Sequence, residues 1–284
     1  MPLPLDRFLR FAELTEVLET LAAAHPDLVA LESIGTSYEG RPLWLVTVTD
    51  TTVAPHHEKP AHWIDANIHA TEVTAGVAAL AVLDHLVAGW AADPVVQWAL
   101  RERTFYVVPR VNPDGVELAL ADQPRLLRSS TRPWPWRDGH RPPGLRVEDV
   151  DGDGRVLQMR LVDPDGAWKP HPQEARLLVP READDGPGGG PYYRLLEEGT
   201  VADHDGWTIP APRPAEGLDL NRNYPAGWAT QVTGSGDYPG SETEIQALLA
   251  ALTARPNVCI ANSFHTSGGV LLREIGRASC RERV

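Results

Sequence analysis

Cysteine is almost missing. Cys259 and Cys280 are the two in 284 residues, too few for a disulfide framework and silent about redox compartment. Long apolar runs are missing too, since no stretch reaches the ~20 apolar residues that cross a bilayer. Residues 1–7 show no basic segment followed by an apolar one, so no secretory leader is expected and the cytoplasm is the default compartment. Positive charge is in deficit: 26 Lys and Arg face 39 Asp and Glu, a formal net charge of −13. A surface of that sign repels polyanions, so neither nucleic acid nor an anionic membrane is expected as a partner. What remains is an ordinary globular composition, 42% hydrophobic and 23% charged, in a chain long enough to bury one substantial core.

Apolar spacing predicts a helix over 7–24, ending before His25-Pro26. A hairpin is expected over 28–50, with Tyr38-Glu39-Gly40-Arg41-Pro42 as turn residues. A central strand over 61–68, helices over 73–90 and 93–103, and a strand over 104–109 follow. Such alternation implies an α/β sheet that is at least partly parallel. Residues 112–240 are rich in Pro, Gly, Trp and Asp and read as one long irregular stretch, a length more often functional than filler. Ser241-Glu242-Thr243-Glu244 carries a capping-box pattern and predicts a helix through Leu252, leading into an apolar strand at 258–264.

The chemistry gathers where strands end. His69 and Glu72 follow one apolar strand, and His265 follows another. A His-x-x-Glu is common by chance, but ligands collect beyond the carboxyl ends of strands in α/β sheets. Two histidines and a glutamate there would leave a zinc its open coordination position, to acidify water and polarise a carbonyl. A second group lies in Gly217-Leu218-Asp219-Leu220-Asn221-Arg222-Asn223-Tyr224-Pro225 and Arg125-Leu126-Leu127-Arg128. It offers guanidinium and amide donors that can grip a carboxylate or an oxyanion, and no obvious nucleophile.

Ser37-Tyr38-Glu39-Gly40-Arg41-Pro42, Asn67-Ile68-His69-Ala70-Thr71-Glu72, Asn112-Pro113-Asp114-Gly115, Asp219-Leu220-Asn221-Arg222-Asn223 and Phe264-His265-Thr266 occur in that order. With them the chain resembles the zinc carboxypeptidase family from about residue 30 to Arg273. The resemblance implies a mixed, largely parallel central sheet flanked by helices, incomplete at the C-terminus. It implies one zinc ion on His69, Glu72 and His265, with Asp219 orienting His69. It implies that Asn221 and Arg222 hold the terminal carboxylate of a peptide substrate and that Arg128 polarises the scissile carbonyl. The expected domain runs over 1–274, with an insertion at about 130–216. Thr71 stands where digestive members carry Arg. The family's general-base glutamate is expected to be missing, since only Glu274 and Glu282 follow His265; the chain is therefore expected to bind zinc and to be nearly inactive.

Three further expectations complete the reading. Asp149, Asp151 and Asp153 match the first half of a calcium loop, but Arg160 stands at the twelfth position, where an EF-hand needs an acid. A solvated acidic turn is expected rather than a Ca²⁺ site. Residues 275–284 read like a translated sequencing adapter and are expected to be a non-native tail on a truncated chain. The alternatives to a carboxypeptidase are a related zinc amidohydrolase, acting on N-acyl amino acids or peptidoglycan peptides, and a non-catalytic zinc-binding module.

Overall fold

The order of elements is α1 (Phe11–Ala24), β1 (Val29–Thr36), β2 (Pro42–Val48), β3 (Ala61–Ala66), α2 (Val73–Gly89), α3 (Pro94–Glu102), β4 (Thr104–Val108), α4 (Pro113–Ala119), β5 (Gly144–Val147), β6 (Gln158–Val162), β7 (Trp168–His171), β8 (Glu174–Pro180), β9 (Tyr193–Glu197), β10 (Gly199–Ala202), α5 (Thr243–Thr253) and β11 (Val258–Phe264). The computed structural model describes residues 2–122, 124–125, 127–133, 143–186, 188–206, 209–210, 218–266 and 269. They fall into two units, Met1–Arg137 with Ala215–Val284, and Asp138–Pro214. The expected tail at 275–284, together with Leu126 and Gly217 of the quoted motifs, lies outside the described residues.

The first unit is built on a five-stranded sheet in the order β1-β2-β4-β3-β11. The β1–β2 and β2–β4 pairs are antiparallel, while β4–β3 and β3–β11 are parallel. The mixed α/β sheet expected from sequence is therefore present, its parallel half lying where the candidate ligands emerge. Side chains alternate between its faces. Val46, Ile64, Ala66 and Val107 pack with Leu14 and Leu18 of α1 and Leu80 and Leu83 of α2. Leu45, Trp63, Tyr106 and Val108 pack with Ile245 and Leu248 of α5 and with Leu218 and Leu220. Burial on both faces is what parallel strands require. Trp63 and Tyr106 are fully buried, and truncating such a ring to Ala costs about 3–5 kcal/mol. Among the described residues, no single helix is long and apolar enough to cross a membrane.

The second unit corrects the reading of 112–240 as irregular. It holds an antiparallel ribbon, β5 with β10, and a four-stranded antiparallel sheet in the order β6-β9-β7-β8. These strands are four to seven residues long and mostly half-buried, with few fully buried side chains. Little apolar alternation marks them in the sequence. Helix α4 of the first unit was also missed. Asn112-Pro113-Asp114-Gly115 looks like a turn, but Asn112 accepts the Gly115 N–H as N-cap and Pro113 takes the first helical position. The predicted capping box of α5 does not form. The helix starts at Thr243, and the Glu242 carboxylate is taken by Arg132 at 2.7 and 2.8 Å.

Candidate metal centre

Strand β3 ends at Ala66, and Asn67 then turns the chain at φ +59°, a left-handed conformation that Asn tolerates better than most residues. The Asn67 amide donates to the His69 carbonyl at 2.8 Å, fixing the loop that follows. Glu72 sits at the N-cap of α2, where its backbone N–H donates to the His69 carbonyl at 3.2 Å. Its carboxylate makes no cap bond and is left for the histidines. Strand β11 lies parallel to β3 with Phe264 opposite Ala66. The residue after Phe264 therefore emerges on the same sheet edge as the His69 loop.

The three side chains meet there. His69 Nδ1 lies 2.8 Å from Glu72 Oε1, His265 Nδ1 lies 2.9 Å from Glu72 Oε2, and the two Nδ1 atoms are 3.2 Å apart. On its far side His69 places Nε2 3.2 Å from Asp219 Oδ1. With the Nε2 proton given to Asp219, the Nδ1 lone pair faces a carboxylate and a second imidazole. Lone pairs gathered so closely need a positive charge between them, either protons or a metal ion. The donor atoms lie within 4.8 Å of one another, and two imidazoles with one carboxylate are a donor set that suits zinc. The residues fit the ion that the sequence led one to expect.

Burial works against the Asp219 carboxylate, yet the His69 hydrogen bond and the charges of His69 and Arg128 outweigh it and bring its pKa down to about 2. Burial likewise opposes Glu72, but bonds with His69, Thr266 N and His265 hold its pKa below the usual carboxylate range. Both acids are thus ionised beside the histidines. Asp65 behaves oppositely: burial pushes its pKa up despite bonds from Ser263 and Trp63.

Arg128 is exposed and donates from Nε to Asp219 Oδ2 at 3.1 Å, so it shares the carboxylate that holds His69. Asp219 also caps the single helical turn Leu220–Arg222 by accepting the Asn221 N–H at 2.9 Å. That turn presents a half-buried Asn221 and an exposed Arg222, which donates to the Asn221 carbonyl. The two residues border a cavity of about 200 Å³ whose other walls include Tyr224, Ala226 and Val232. All seven expected site residues therefore lie in the first unit, and the side chains of five bond one another: His69, Glu72, His265, Asp219 and Arg128.

Two quoted motifs do a different job. Ser37-Tyr38-Glu39-Gly40-Arg41-Pro42 and Asn112-Pro113-Asp114-Gly115 form a bracket around the buried Asp114 carboxylate. It accepts Ser37 Oγ at 2.7 Å, Glu39 N at 2.8 Å and Arg41 Nη1 at 2.6 Å. Asn67, Asn112 and Ser129 were not singled out as site residues, although all three are fully buried against the site loops. Only the position of Asn67 next to a candidate ligand pair could have flagged it.

The aspartates of the second unit also lie within reach of one ion. Four of their six oxygens accept N–H groups of their own loop. Asp149 accepts Gly152 N at 2.7 Å and Gly154 N at 2.8 Å, Asp151 accepts Asp153 N at 3.0 Å, and Asp153 accepts Arg155 N at 2.8 Å. This is the geometry of an acidic turn.

A profile of the zinc carboxypeptidase family matches residues 14–282. A zinc carboxypeptidase of Saccharothrix mutabilis subsp. capreolus is 33% identical over 111 residues, 39% of this chain and 25% of its own. Carboxypeptidase A2 of Mus musculus is 31% identical over 103 residues, 36% of this chain and 24% of its own. The chain thus spans about a quarter of the length of these relatives. Two solved structures share the fold. Carboxypeptidase A from Helicoverpa armigera has a TM-score of 0.58 at 17% identity, over 94% of this chain and 47% of that one. Bovine thrombin-activatable fibrinolysis inhibitor, in complex with a tick carboxypeptidase inhibitor, has a TM-score of 0.54 at 18% identity, over 98% of this chain and 67% of that one. A paired His-Glu-His cluster at the ends of parallel strands and a family match over nearly the whole chain agree: this protein belongs to the zinc carboxypeptidase family.

Proposed function

We propose that this chain carries the metal centre of a zinc-dependent hydrolase that removes C-terminal residues from peptides. The observation that carries the reading is the convergence of His69 Nδ1, His265 Nδ1 and the Glu72 carboxylate on one point, with Asp219 behind His69. A zinc held by that trio supplies a Lewis acid that polarises a carbonyl and acidifies water. The protein's own residues do the rest. Asp219 fixes the His69 ring through Nε2, which is how second partners of metal ligands hold a tautomer. Arg128, anchored through Nε, keeps its two Nη groups for the developing oxyanion of the scissile carbonyl. Asn221 and Arg222 take the terminal carboxylate, the Arg through paired donors.

Neither carboxylate that touches the histidines is placed to accept a proton from water. Glu72 is held by His69, His265 and the Thr266 N–H, and Asp219 by His69, Arg128 and the Asn221 N–H. A positioned general base contributes about 10²–10⁴-fold; with no base supplied by these two carboxylates among the described residues, zinc binding with slow peptide hydrolysis is expected. Binding therefore tests the specificity better than turnover. Calorimetry on the zinc-loaded chain is expected to show an N-acylated dipeptide with a free C-terminus binding roughly 10-fold or more tighter than its amide, as charged hydrogen bonds allow. Arg222→Ala is expected to erase that difference. Equal binding of acid and amide by the unaltered chain would contradict the carboxylate clamp.

A further inference from the structure

Three short segments carry the site side chains: 68–70 with His69 at its centre, 128–130 with Arg128 at its start, and 218–220 with Asp219 at its centre. The middle segment is stitched to both outer ones. Ala70 N donates to the Arg128 carbonyl at 3.2 Å, and Ser130 N donates to the Leu218 carbonyl at 3.2 Å. Between these backbone bonds sits the Ser129 hydroxyl. It donates to the Ile68 carbonyl at 3.1 Å and accepts the Leu220 N–H at 3.0 Å. One oxygen thus bonds the residue just before His69 and the residue just after Asp219. The Ser129 carbonyl in turn accepts Asn112 Nδ2 at 2.6 Å, and Asn112 also reaches the Ile68 carbonyl at 3.3 Å. Ser129, Asn112 and Leu220 are all fully buried, so water is a poor replacement for any of these bonds.

We infer that Ser129 is a positioning residue of the metal centre: its hydroxyl sets the distance between the His69 and Asp219 segments and thereby aims the His69 ring. The geometry at stake is the 3.2 Å contact of His69 Nε2 with Asp219 and the 3.1 Å contact of Arg128 with the same carboxylate. Without the hydroxyl, the Leu220 N–H loses its partner, and the two segments are left with the flanking backbone bonds and the His69–Asp219 contact itself. The imidazole then presents Nδ1 to the ion less well, and zinc affinity falls while the fold persists. The inference rests on the zinc reading of His69, Glu72 and His265.

Ser37 supplies a matched control. It is a buried serine of the same unit that donates to Asp114 Oδ1 at 2.7 Å and accepts the Arg41 N–H at 3.0 Å, away from the trio. The experiment titrates zinc against a chromophoric chelator in the full chain, beside urea unfolding of the metal-free protein. Ser129→Ala is expected to weaken zinc binding by about 10-fold, the lower end for groups that support metal ligands. Ser37→Ala is expected to lower the urea midpoint with zinc affinity within about 2-fold of the parent. Ser129→Cys keeps most of the side-chain volume with a weak donor; it carries the same expectation of about 10-fold weaker binding if the alanine variant fails to fold. Parental zinc affinity in a folded Ser129 variant, or equal weakening by Ser37→Ala, overturns the positioning role. A parent chain that takes up no zinc overturns the reading beneath it as well.

Discussion

Two acidic clusters in this molecule look alike as lists of residues and differ in burial and in partners. In the first unit, Glu72 and Asp219 are buried, ionised and turned toward histidines. In the second, Asp149, Asp151 and Asp153 lie together but accept backbone N–H groups of their own loop. Glu198 braces that loop by accepting Val150 N at 2.8 Å and Leu157 N at 2.9 Å. In the first cluster, two imidazole nitrogens and a carboxylate converge on one point, where a cation would offset their crowded lone pairs. In the second, four of the six carboxylate oxygens accept a backbone N–H of the loop. Proximity of carboxylates is therefore weak evidence for a metal until each oxygen has been accounted for.

Replacing a member of either cluster breaks or sharpens that contrast. The largest effect is expected for His265→Ala or Glu72→Ala, which leave two protein ligands where a zinc site of this kind needs three. Zinc per chain after gel filtration falls from about one to near zero, whereas Asp149→Ala leaves it unchanged. Loss of zinc in the Asp149 variant would erase the distinction. A smaller effect is expected from Asp219→Asn, which keeps the shape but weakens the hold on His69 Nε2. Chelator competition is expected to show zinc affinity down about 10–100-fold, and an unchanged affinity would remove Asp219 from the centre.

The smallest effect belongs to the second unit. Bonds from the Leu157 and Val150 N–H groups hold the Glu198 pKa below the ordinary carboxylate value. A depressed folded pKa contributes stability above the unfolded pKa, lost as pH falls through the folded one. Acid titration followed by the amide signals of Val150 and Leu157 is expected to show the loop loosening below the ordinary glutamate range. Glu198→Gln flattens that dependence, and a loop equally sensitive to acid with Gln at 198 would contradict the assignment.

The trio was legible in sequence because its signal is local and repeated: a ligand type placed directly after an apolar strand, twice. The register that pairs Phe264 with Ala66 then brings the two ends together. Asp219 and Arg128 were legible only through family resemblance, since nothing in their spacing predicts that one carboxylate holds both His69 and Arg128. Ser129 was not legible at all. A hydroxyl that joins segments 61 and 91 residues away leaves no periodic trace. The strands of the second unit escaped because they are short and few of their side chains are fully buried, so they carry little apolar alternation. Helix α5 was predicted with the wrong cap, because the Ser241 hydroxyl bonds Asn223 and Glu242 and the Glu244 carboxylate accepts the distant Tyr38 N–H instead of closing a local capping box.

The most direct test is zinc-edge X-ray absorption on the chain loaded with an equimolar amount of zinc. The account predicts a shell of two imidazole nitrogens and carboxylate oxygen at about 2.0–2.2 Å, lost in His265→Ala and retained in Asp149→Ala. An all-oxygen shell, or an imidazole signal indifferent to His265, would place the ion elsewhere and contradict the account.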